Sequence, residues 1–100
     1  MIGGAHIPES EIIAFAQRWH LAELSLFGSV LTHRFCPDSD IDVLVAFRPD
    51  ERVTIEDWAR MHAELEALFH RKVDLVERRL IVNPFRRNHI LTHRRVLYAA

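Results

Sequence analysis

The sequence predicts an α/β (α+β) domain in which helices pack on a mixed sheet of three or more strands. Three observations predict it. Helix-period segments alternate with β-branched apolar runs along the chain. The link between the first two strand patterns is short enough to allow an antiparallel pair beside a parallel one. The 100 residues leave room for one core, so a single domain over residues 1–100 is expected.

Pro8, with Glu9 and Glu11 behind it, opens a helix that Ile12, Phe15, Ala16 and Trp19 carry at helical spacing to about His20. Leu21–Phe27 then reads as a short strand ended by Gly28-Ser29. Residues 30–35 have the pattern of one or two helical turns, and Cys36-Pro37-Asp38-Ser39 is a turn. Ile41–Phe47 is apolar nearly throughout, as in a central strand buried on both faces. Thr54 and Asp57 form a capping-box pair, after which Ile55, Trp58, Met61, Leu65 and Leu68 continue a helix to about His70. Residues 72–77 give a third strand through Val73 and Leu75, and Asn83-Pro84 starts a last helix running toward Tyr98. Trp19, Trp58, Met61 and Phe69 fall at core spacing and are assigned to packing.

Composition narrows the function classes. Apolar residues at 49% and charged residues at 27% exclude a disordered chain. The longest strongly apolar stretch, Ile41–Phe47, contains Asp42 and falls far short of the roughly 18–20 residues that span a bilayer, so no membrane association is expected. No signal or transit peptide is visible, and the lone Cys36 cannot build a disulfide framework, which makes the cytoplasm the expected compartment. The net charge of −1 hides an asymmetry: five basic and twelve acidic residues lie up to His70, eight and two beyond it. The paired arginines Arg78-Arg79, Arg86-Arg87 and Arg94-Arg95 read first as a solvated face, second as a dock for an acidic partner and third as an RNA surface, so nucleic acid is not the expected partner. Phe85, Ile90, Leu91, Val96, Leu97 and Tyr98 leave apolar surface near the end of the chain that would serve as an interface.

The chemistry lies in Gly28-Ser29, ten further residues, and Asp40-Ile41-Asp42 entering the central strand, with Asp74 in the third strand. Side chains alternate along a strand, so Asp40 and Asp42 share a face with Cα atoms ~6.6 Å apart. Acids in an apolar strand need cations, and no lysine or arginine lies between Asp38 and Phe47. Magnesium meets that need with carboxylate, phosphate and water oxygens, and Asp74 would complete three ligands. Crowded carboxylates resist ionising together, so at least one should titrate above its ordinary value. Gly28-Ser29, at a strand end before a helical pattern, suits the phosphates of a nucleoside triphosphate: glycine permits close backbone approach and the Ser29 hydroxyl adds a donor. His89 and His93 have the i, i+4 spacing of a zinc pair, but no further ligand accompanies them, and they read as solvated.

These motifs, Leu26-Phe27-Gly28-Ser29, Asp40-Ile41-Asp42-Val43-Leu44-Val45 and Lys72-Val73-Asp74-Leu75-Val76-Glu77, resemble the signature of the DNA polymerase β-like nucleotidyltransferases, in particular the minimal (MNT-type) branch. The resemblance covers almost the whole chain, including Pro37-Asp38-Ser39 and the closing Val96-Leu97-Tyr98. It implies a palm-like fold, ATP and magnesium, and a HEPN-domain toxin whose tyrosine is adenylylated by its antitoxin. It implies that Gly28 and Ser29 grip the β- and γ-phosphates, that Asp40 and Asp42 ligate the metals, and that Asp74 holds the catalytic metal and helps deprotonate the acceptor. One position departs: many members carry arginine directly after Gly-Ser, where this chain has Val30, and the nearest basic residue in the segment is Arg34. No extra domain for base and acceptor is expected, so the acceptor would come from another macromolecule or a second copy of the chain, as a homodimer. Two functions follow as expectations: magnesium-dependent transfer of AMP to a protein hydroxyl, and a binding antitoxin that neutralises its partner by masking.

Overall fold

In the computed structural model, which describes residues 6–32, 34–36 and 38–100, four strands form one sheet: β1 (Leu21–Phe27), β2 (Ile41–Phe47), β3 (Val73–Glu77) and β4 (Arg95–Ala99), in the order β3-β2-β1-β4. β1 is antiparallel to both β2 and β4, and β2 is parallel to β3, so the sheet is mixed as the sequence predicts. A parallel pair needs a crossover. Helix α2 (Ile55–Phe69) supplies it, opened by a complete capping box: Asp57 N–H donates to Thr54 Oγ1 at 3.0 Å and Thr54 N–H to Asp57 Oδ2 at 3.2 Å.

The alternation of β2 divides the molecule. Ile41, Val43, Val45 and Phe47 face a core built with Ile12, Phe15 and Ala16 of α1 (Glu9–Arg18) and Met61, Leu65 and Phe69 of α2. Leu44 turns the other way, into a smaller cluster with Phe27, Ile81 and Ile90, the last from α3 (Pro84–His93). Met61 and Phe69 are core residues, whereas Trp19 and Trp58 are half-buried, and the Trp19 indole N–H reaches Glu64 Oε2 at 3.1 Å.

Three expectations are corrected. The last helix does not run toward Tyr98; it stops at His93, and Arg94 is extended (φ −84°, ψ 156°) and leads into β4, a fourth strand. The Arg94 guanidinium donates to the Leu91 carbonyl and, through Nε at 2.6 Å, to Glu23 on β1, which satisfies the helix end and pulls the chain onto the sheet edge. The paired arginines are therefore not simply a solvated face. Arg94 and Arg78 pair with Glu23, Arg79 with Glu77, and Arg87 donates to the Arg78 carbonyl at 2.7 Å. Finally, the helical turns expected at residues 30–35 shrink to a 3-10 turn, Gly28–Leu31, closed where Thr32 Oγ1 donates to the Ser29 carbonyl at 2.9 Å. The turn before β2 is present, with Ser39 N–H donating to the Cys36 carbonyl at 3.0 Å; Pro37, like His33, lies outside the described residues.

Candidate active site

Asp42 and Asp74 are direct register partners across the parallel β2–β3 pair, so their side chains leave the same face of the sheet. That face is the one bearing α3, since Leu44 and Val76, two residues further along each strand, pack in the Ile90 cluster. Asp40 lies just before β2 and is exposed; its charge and that of Asp74 both act on Asp42. Burial first, then Asp74 and Asp40, push the Asp42 carboxyl up from the ordinary 3.8 to about 6, while the Arg86 guanidinium pulls the other way. One carboxyl above its ordinary value is expected where acids crowd, and here burial is the larger cause.

Phe27 opposes Asp42 in the β1–β2 ladder, which places Gly28 directly beside that carboxylate. Gly28 has φ +75°, and a Cβ there would overlap Asp42 Oδ2. Glycine is thus required both by the backbone and by the neighbour. Ser29 follows, half-buried, in a 3-10 turn of four residues. So short a turn offers no helix dipole; any anion would be held by backbone N–H groups and side chains rather than by the helix that the sequence suggested. A cavity of about 440 Å³ opens here, lined by Gly28, Ser29, Leu31, Thr32 and Arg34 on one side and by His89 and His93 of α3 on the other.

The donor set suits a divalent cation. The ion pairs between described residues use Glu23, Glu51, Glu64, Glu66 and Glu77, and none of Asp40, Asp42 or Asp74. A half-buried carboxylate crowded by two others is stabilised by a hard cation, and oxygen donors are what magnesium takes. As placed, however, no three acidic, histidine or cysteine side chains among the described residues are gathered closely enough to enclose an ion. Asp42 and Asp74 share a face, with Asp40 close enough for its charge to act on Asp42, without forming a closed cage.

Sequence reasoning missed Arg86, His89 and His93 as neighbours of this face. The i, i+3, i+7 spacing of Arg86, His89 and His93 was the available signal, but it could be used only once the face covered by α3 was known.

The chain resembles known proteins in keeping with this geometry. A family model described as a nucleotidyltransferase domain matches residues 11–97. A solved structure provisionally named a minimal nucleotidyltransferase is 31% identical, covers 86% of this chain and 85% of its own, and superposes with a TM-score of 0.71. A complex of a tri-AMPylated Shewanella oneidensis HEPN toxin with an MNT antitoxin has a similar fold, with a TM-score of 0.66 at 22% identity over 92% of this chain and 70% of its own. A Methanocaldococcus jannaschii protein provisionally named a protein adenylyltransferase is 28% identical over 68 residues, 68% of each chain.

Proposed function

The chain belongs to the nucleotidyltransferase-domain family, and on that premise we propose that it transfers AMP from ATP, with magnesium, to a tyrosine hydroxyl of a HEPN-domain toxin and so acts as that toxin's antitoxin. The observation that carries this reading is the pairing of Asp42 with Asp74 on one sheet face, beside Gly28 and with Asp40 at the strand entrance.

In the proposed reaction the acceptor oxygen attacks the α-phosphorus, the bond from that phosphorus to the bridging oxygen breaks, and pyrophosphate leaves. Asp74, exposed at the acceptor side, receives the hydroxyl proton. Gly28 lets the backbone approach the β- and γ-phosphates, and the Ser29 hydroxyl donates to them. Asp40, Asp42 and Asp74 would hold magnesium, which when bound neutralises charge on the phosphates.

A protein acceptor is supported by exposed apolar side chains on the stretch from the end of β3 into α3. Leu80, Val82 and Phe85 are 70%, 88% and 84% exposed; Leu80 stands with Val53, Ile55 and Trp58 beyond the end of β3, and Phe85, in the first turn of α3, precedes Arg86. Large apolar side chains left in water are what a macromolecular partner covers. Among the described residues no helix is long and apolar enough to cross a membrane. Cys36 is a free, exposed thiol, which fits the cytoplasmic compartment of this reading.

Incubating the chain with ATP, magnesium and a cognate HEPN-domain partner, followed by peptide mass spectrometry, tests the reading. The expected product is AMP on a partner tyrosine. Neutralisation of the partner that persists without ATP or magnesium and leaves it unmodified would replace transfer by masking.

A further inference from the structure

The cavity beside Gly28 and Ser29 has a second wall that the reaction above does not use. Arg86, His89 and His93 stand at i, i+3 and i+7 on α3, which puts them on one stripe of that helix. The stripe begins where Arg86 acts on Asp42 and ends at the His89–His93 pair lining the cavity. The two imidazoles are stacked, with centroids 4.3 Å apart and 27° between planes. His93 Nδ1 donates to the His89 carbonyl at 2.9 Å, which fixes the ring. Arg34 lines the opposite wall, and no acidic side chain is among the lining residues. Val30, the residue after Gly28-Ser29, is fully buried in the core and presents nothing to the cavity.

Two stacked imidazoles repel when both are charged, and a guanidinium opposite adds to that field; an anion between them removes the penalty. Guanidinium and imidazolium donate to phosphate oxygens with charge-assisted hydrogen bonds. We propose that Arg34, His89 and His93, continued by Arg86 toward the acids, form the site that binds the polyphosphate tail of the nucleotide. The proposal rests on the reading that this face receives a nucleoside triphosphate. It assigns the stripe to the leaving pyrophosphate and not to the base.

Calorimetric titration of the intact chain with inorganic triphosphate, and separately with adenosine, tests it. The His89→Gln/His93→Gln double variant and Arg34→Ala should each weaken triphosphate binding by roughly tenfold or more, with adenosine binding unchanged. His6→Gln, an exposed histidine away from the cavity, should leave both unchanged. Triphosphate bound at wild-type affinity by the double variant and by Arg34→Ala overturns the proposal. So does a loss confined to adenosine, which would make the cavity a base-stacking site. Failure here is distinct from failure of the transferase reading: a wild-type chain that binds triphosphate tightly yet modifies no partner keeps this site and loses the reaction.

Discussion

Gly28 and Asp42 compete for the same space. Because Phe27 and Asp42 are partners in the β1–β2 ladder, a side chain on Gly28 would run into the Asp42 carboxylate, whose Cγ lies 3.1 Å from the point a Cβ would occupy. The phosphate-side glycine and the central acid are therefore one steric unit, and a change at either is felt by the other.

Gly28→Ala should abolish measurable transfer and destabilise the fold by about 1–3 kcal/mol, since the backbone there is left-handed and the Cβ displaces Asp42. Combining it with Asp42→Ala relieves the overlap. The double-mutant cycle, read by chemical denaturation, should show the pair costing less than the sum of its parts. Additive costs would mean that the two side chains do not share the space.

Asp42 gives a pH dependence with a definite sign. Its carboxyl titrates at about 6 when folded, against an ordinary 3.8, so between these values the folded chain binds more protons than the unfolded one. Its contribution to stability is complete below about 3.8 and is lost as pH rises through 6. Asp42→Asn should therefore stabilise the metal-free chain at pH 8, by about 1 kcal/mol once the site's solvent exposure is discounted. It should also flatten the melting temperature across pH 4 to 6 relative to wild type. Magnesium should raise the melting temperature of wild type at pH 8 and not that of the variant.

Asp74→Asn separates chemistry from stability. The side chain is exposed and its charge crowds Asp42, so thermal stability at pH 8 should be the same or slightly higher, while transfer should fall by about 10² or more through loss of the proton acceptor. Activity at the wild-type rate would remove Asp74 from the site.

Glu23 fastens the end of the chain to the sheet. Burial works against its ionised form, but hydrogen bonds from Arg94 and Ser25 and the charges of Arg94 and Arg78 outweigh it and hold the carboxyl below the ordinary 4.5. This stability is present above the ordinary value and is lost as pH falls through the depressed one. Arg94→Ala should destabilise the fold by about 2 kcal/mol by removing the Arg94 donor from the Leu91 carbonyl and from Glu23, which then keeps only Ser25 Oγ and the Arg78 charge. Hydrogen exchange should show β4 opening first.

Much of this was legible in the residues because local rules and tertiary environment agree. Leu21–Phe27 and Ile41–Phe47 are bounded by turn residues and have the predicted limits, and Thr54 with Asp57 caps α2 through both side chains. Asp42 and Asp74 fall on one face because the strand repeat of two carries the acids with Leu44 and Val76. β4 was hidden because Arg95-Val96-Leu97-Tyr98 continues the apolar pattern of the helix before it; the break is made at long range, by Arg94 reaching Glu23. His89 and His93 are exposed, as their sequence reading has them; that they also line the cavity with Gly28 and Ser29 depends on where α3 docks.

The most direct measurement is a single-turnover assay with ATP labelled at the α-phosphorus, comparing the wild-type chain with Asp42→Asn in the presence of magnesium and the HEPN-domain acceptor. Label should move to the acceptor with the wild type and remain in ATP with the variant, although the variant melts at the same temperature or higher. Equal labelling by the two proteins, or none by the wild type, would contradict a reaction centre built on the Asp42–Asp74 pair.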